Sequence, residues 1–117
     1  MIINKTDSYI SVSPAEDQQL SDDRDFEIFF NSFVEKNANF KKTNLILDFS
    51  GLINIEIKKI LLFSQLSELH RNNNKSFVIV CEGLAYDELP DELVVVPTFK
   101  EAEDIIEIED IERDLGI

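Results

Sequence analysis

Residues 44–59, NLILDFSGLINIEIKK, decide how the rest of the chain is read. Asn44 to Phe49 is apolar nearly throughout, the pattern of a strand covered on both faces rather than one. Ser50 and Gly51 form the turn that ends it. A helix is expected from about Asn54 to Arg71, closed by the asparagines 72–74, which can supply left-handed capping conformations. A buried strand delivered into a helix is the building unit of a mostly parallel sheet.

The same alternation extends in both directions. Toward the N-terminus, Tyr9 to Ser13 alternates as a strand, preceded by a short pairing segment at Ile2 and Ile3 and ended by Pro14. Ser21 can then cap a helix whose first turn holds Asp22, Asp23 and Asp25, favourable charges at the positive end of a helix dipole. Phe26, Phe29, Phe30, Phe33 and Val34 fall on one stripe of it, and it should end near Asn37 to Asn39. Toward the C-terminus, SFVIVC (76–81) reads as a second buried strand, and Gly83 and Pro90 limit any helix after it to a turn or two. Leu93 to Val96 is a further strand. Thr98 and Glu101 have capping-box spacing at the start of a last helix that turns Phe99, Ala102, Ile105, Ile106, Ile108, Ile111 and Leu115 inward and ends at Gly116. The order β, α, β, α, β, short α, β, α predicts an α/β fold: a mostly parallel or mixed sheet of four to five strands with helices packed against it. Without a repeat or a linker, residues 1–117 are expected to form a single domain.

Composition narrows the function classes. The formal charge is −13, and the segment from Glu82 onward carries −11 of it. Such a surface repels phosphate backbones and anionic headgroups, which argues against nucleic-acid and membrane-surface binding. It reads as a solvated face that keeps the protein soluble, or as a docking site for a basic partner. No stretch is long and apolar enough for a signal core or a membrane span, so a cytoplasmic location is expected.

The inventory of chemical groups is short. The single cysteine, Cys81, lies in an apolar run and reads as a core residue rather than a reactive thiol. The single histidine, His70, lies near the end of a polar helix turn, where a solvated or helix-capping imidazole suits the dipole better than an acid-base role. One histidine and one cysteine on different elements make no structural zinc site, and EAEDIIEIEDIERD (101–114) lacks the glycine and the spacing of a calcium loop. Glu103 and Glu107, one turn apart, resemble a glycosidase pair only in spacing, since no aromatic cleft accompanies them. Gly51 stands alone where a phosphate-binding loop needs several glycines. These absences lead to the expectation of no enzyme activity, no metal and no cofactor. Lys58 and Lys59 open a helix whose free N–H groups could meet an anion, or they are simply solvated. In EIKKILLFSQL (56–66), Ile57, Ile60, Leu61, Leu62, Phe63 and Leu66 cover more than half of the helix circumference. Either a neighbouring helix buries the excess or it is a protein-docking or dimer surface.

With this element order, Asp48, Phe49, Ser50 and Gly51 resemble the D-[LF]-S-G strand end of the STAS domain, the fold of bacterial anti-sigma-factor antagonists that also occurs in sulfate transporters. In that family I-D-S-S-G-L and a helix follow. Ile55 matches the isoleucine and Glu56 stands at the aspartate, while Ile57, Lys58 and Lys59 replace the phosphorylated serine, the next serine and the glycine. The resemblance implies the fold and a bias toward protein interaction, and isoleucine removes phosphorylation at the usual site. The tail VPTFKEAEDIIEIEDIERDLG (96–116) is similar to small bacterial proteins labelled ribonuclease Z. That activity needs an H-x-H-x-D-H motif and further histidines for two zincs, which one histidine cannot provide.

The expectation is therefore a STAS-like module that binds another protein, or a second copy of itself, through the 54–71 helix and the turn before it. Ser50, Gly51, Asn54, Glu56, Ile57, Lys58, Lys59, Ile60 and Leu61 are the candidate partner-binding residues. The alternative is a module holding a small anionic ligand, a nucleotide, metabolite or lipid headgroup, at the 50–59 turn, since α/β sheets commonly bind at strand C-terminal ends.

Overall fold

The computed structural model describes residues 1–52 and 54–116. Its strands are β1 (Ile2–Lys5), β2 (Ile10–Ser13), β3 (Leu45–Asp48), β4 (Phe77–Val80) and β5 (Val94–Val96). Its α-helices are α1 (Asp23–Lys36), α2 (Ile57–Leu61), α3 (Ser64–Asn72) and α4 (Phe99–Asp114). The strands form one five-stranded sheet in chain order, β1-β2-β3-β4-β5. β1 is antiparallel to β2, with Ile3 opposite Val12, and every later pairing is parallel. The sheet is thus mixed, and its strands and helices follow the expected order.

The apolar runs become central strands because both of their faces are covered. Leu45, Leu47, Phe77 and Ile79 join Ile10 and Val12 against Phe26, Phe29 and Phe33 of α1, Ile60 of α2 and Leu66 of α3. On the opposite face Ile46, Val78 and Val80 meet Ala102 and Ile106 of α4. The larger core centres on Phe63, whose ring lies 5.1–6.0 Å from those of Phe26, Phe30, Phe33 and Phe49. Burying a side chain of this size is worth roughly 1.5–3 kcal/mol, so Phe63 anchors the element that carries the candidate site.

Three local expectations are corrected. Asp22, not Ser21, caps α1, its Oδ1 accepting the Asp25 N–H at 2.9 Å, and Val34 faces outward at 43% exposure. The single helix expected over 54–71 is two. The Leu62 and Phe63 N–H groups bond back three residues, to Lys59 O and Ile60 O, so the chain tightens for one turn before α3 resumes with Ser67 N to Phe63 O at 2.9 Å. No glycine or proline causes this; the turn drops Phe63 into the aromatic core.

The third correction concerns α4. Thr98 Oγ1 caps it by accepting the Glu101 N–H, but only Ala102 and Ile106 are buried, while Ile108, Ile111 and Leu115 are 55%, 51% and 67% exposed. Polar bonds orient the C-terminal half of the helix instead. Asn44 Nδ2 donates to both Asp110 carboxylate oxygens at 3.0–3.1 Å, Ser76 Oγ donates to Glu109 Oε1, and Arg113 Nη2 donates to Asn44 Oδ1, Ser76 Oγ and Asp110 Oδ1. This latch fastens α4 where β3 and β4 begin. Leu115 then caps the helix and Gly116 follows at φ +73°, the left-handed residue expected there.

Candidate functional site

The turn after β3 is shaped by its own backbone. Asp48 Oδ1 accepts the Ser50 N–H at 2.9 Å, Leu52 N–H bonds to Phe49 O, and Gly51 and Asn54 take left-handed conformations at φ +79° and +61°. Ile55, 6% exposed, pins the returning chain to the core. Glu56 then opens α2, accepting the Lys59 and Ile60 N–H groups on its carbonyl.

The nine expected contact residues separate into a surface and an interior. Ser50, Gly51, Asn54, Glu56 and Lys58 are exposed, Ile57 is half-buried and Leu61 is 38% exposed. Ile60 is fully buried among the phenylalanines and is a core residue, not a contact. Lys59, expected to be solvated or to meet an anion, is 5% exposed. Its Nζ donates to the carbonyls of Leu20 and Ser21 at 3.2 and 3.1 Å and pairs with Asp23 at 2.9 Å. It also lies 5.5 Å from the centre of the Phe26 ring, a cation–π distance. The ammonium therefore ties α2 to the start of α1, and it holds the Asp23 carboxyl below its usual range through that hydrogen bond and its charge.

What remains outside is a ridge. Ile57 and Leu61 share one row of α2 and Lys58 and Leu62 the next, with Leu62 the most exposed of the apolar members at 53%. Leu62 was absent from the expected contacts because its outward direction depends on the helix break. The charge at this end is already balanced, Lys58 lying 3.3 Å from Glu56. The depression beside the turn, about 310 Å³, is lined by Leu52, Asn54, Ile55, Glu82 and Gly83, so its one charged wall is a carboxylate.

The chain's two reactive side chains are buried and on different elements. His70, expected at the surface, is fully buried. Its Nδ1 and Nε2 lie 3.2 Å from the carbonyl oxygens of Leu66 and Phe40, and its ring packs edge-on to Phe77. Burial lowers its pKa below the ordinary value, and the two carbonyls only partly oppose that. Cys81 is buried as expected, and burial, with Glu82 adding to it, pushes its thiol up to about 11. Neither meets an acid-base or nucleophilic partner. Among the described residues no group of three or more His, Cys, Asp or Glu side chains could hold a metal ion, and no helix is long and apolar enough to cross a membrane.

The chain matches no protein-family model and no curated protein. The functional reading therefore rests on this geometry.

The outer carboxylates form a second surface. Glu103, Glu107, Asp110 and Asp114 of α4 face Ser8 and Tyr9 across a groove of about 400 Å³. Tyr9 donates to Glu103 Oε2 at 2.9 Å, and burial together with that carboxylate pushes the phenol up to about 12. This phenol is a fixed hydrogen-bond donor, not an acid at neutral pH.

Proposed function

We propose that this chain is a non-enzymatic, cytoplasmic protein-interaction or regulatory module of STAS-like fold, docking through the α2 ridge and the turn before it, without the serine switch of that family. The observation that carries the reading is the exposed apolar pair Leu61 and Leu62, beside Ile57 and at the C-terminal ends of the parallel strands. Adjacent exposed apolar side chains form the kind of patch that a protein partner covers. The position of the family's phosphorylated serine falls on Ile57, at the start of the same ridge, so here a charge-switched contact is replaced by a permanently apolar one.

The described side chains at the turn do not favour the anionic-ligand reading. Lys59 is buried and fully engaged, Lys58 is paired, and Glu82 would repel an anion from the adjoining depression. Catalysis is disfavoured by the burial and separation of His70 and Cys81.

The test compares capture of partners from native cytoplasm by wild type, Leu61→Glu, Leu62→Glu and the control Ile28→Glu. Ile28 is a similarly exposed residue, at 49%, on α1. A protein retained by wild type and the control but lost with both ridge variants, all four folded by circular dichroism, is the expected result. Equal capture by all four proteins would remove the ridge from the interaction.

A further inference from the structure

Two segments at the end of the sheet where β3 and β4 begin are basic, although the latch carboxylates Glu109 and Asp110 of α4 sit at the same end. Residues 36–44, KNANFKKTN, and 71–76, RNNNKS, contain no acidic residue in a chain of net charge −13. Lys36, Lys41, Lys42 and Lys75 in these segments make no ion pair among the described residues. Beside them, between α1 and α3, lies an open cleft of about 510 Å³ with Lys41 at its rim. Val34 and Leu69, its walls, are 43% and 52% exposed. Asn37, also lining it, is 6% exposed, and its Oδ1 is buried without a hydrogen-bond partner.

The opposite face of the sheet carries a surface of matching character. The outward stripe of α4 is Ile108, Ile111 and Leu115, flanked by Glu107, Glu112 and Asp114 and by Asp104, which is paired with Lys100 at 2.6 Å. Since Ala102, Ile106 and the polar latch already hold the inward side, α4 is apolar on two sides, and the outer one packs into neither core cluster, Ile111 alone bordering the groove beside Tyr9.

We propose that these two surfaces are the halves of one self-association contact, the outer stripe of α4 of one copy seating in the α1–α3 cleft of a second. Isoleucines would cover Val34 and Leu69, and the flanking carboxylates would meet lysines that lack an internal partner. Because cleft and helix lie on opposite faces of the sheet, one copy cannot close the contact on itself. Each copy's net negative charge opposes the approach, so the contact belongs to a concentrated regime and is weaker than a permanent dimer. This contact is separate from the α2 ridge.

Sedimentation equilibrium over a concentration series tests it. Wild type should rise above the 13.5 kDa protomer mass, whereas the cleft variant Lys41→Glu·Leu69→Glu and the helix variant Ile108→Lys·Ile111→Lys should each stay at it, a loss of about tenfold or more in affinity. An equimolar mixture of the two variants should associate again, since it retains one intact cleft and one intact helix. Leu61→Glu should associate like wild type. If a variant loses its helical circular dichroism, Lys41→Glu·Lys42→Glu and Glu112→Lys·Asp114→Lys carry the same comparison through charge alone. Three results would overturn the proposal: a wild type monomeric up to about 1 mM, variants that associate unchanged, or a mixture that stays monomeric.

Discussion

Lys58 and Lys59 are neighbours of the same type with opposite fates. Lys59 Nζ is enclosed by two carbonyls and a phenyl face, while its partner Asp23 stays largely in water. Lys59→Met keeps most of the stem but leaves those carbonyls without a charged donor, and should cost about 2–3 kcal/mol in urea unfolding; Lys58→Met should be near neutral. The sequence could not separate the two, because the carbonyls that bury Lys59 belong to residues 38–39 positions earlier. His70 is hidden from a sequence reading for a related reason: its polar neighbours along the chain point to solvent, whereas Phe40 O and Phe77 enclose it in space. Its pKa is lowered in the fold, so as pH falls below about 6.5 the unfolded chain takes up its proton first and stability falls with it. Above that pH the contribution is flat. As the only histidine, it gives one set of imidazole ring resonances, which should titrate below 6.5 in the folded protein and at the ordinary value in urea.

At the scale of elements, the buried strands were legible because unbroken apolar runs have only one home in a two-faced sheet. The break between α2 and α3 was not. No residue there is a helix breaker; the tightened turn follows from the fit of Phe63 among four other rings. That turn also sorts adjacent aliphatics into core and surface, which yields a sharp contrast. Ile60→Ala removes a fully buried side chain and should destabilise by about 2–5 kcal/mol, whereas Leu62→Asp should stay within about 0.5 kcal/mol while abolishing partner capture. Equal losses of stability in chemical denaturation would mean that Leu62 belongs to the core. The inward side of α4 was equally hidden, since isoleucines occur around much of its circumference and hydrogen bonds from Asn44, Ser76 and Arg113 choose among them.

Across the whole molecule, charge works against compactness. The protein spans 43 × 30 × 23 Å, and at about 10 mM salt the screening length is about 30 Å, so nearly every carboxylate feels the others. At about 150 mM the length falls to about 8 Å, which removes most of the mutual repulsion, while the pairs made by Lys59, Arg71 and Arg113, partly withdrawn from solvent, are screened less. Melting temperature should therefore rise by a few degrees between these conditions in scanning calorimetry; a fall would mean that local pairs outweigh the global repulsion. The sign of the charge was readable from composition, but the lysine-bearing end was not, because segments 35 residues apart meet only once β3 and β4 pair in parallel. The sheet's strict chain order has a further consequence during synthesis. Each parallel strand can join the growing edge as it leaves the ribosome, without waiting for a distant segment. Only α4 comes late, and until it emerges Ile46, Val78 and Val80 have no cover. The nascent chain is thus most exposed to aggregation between the emergence of β4 and that of the sixteen-residue α4.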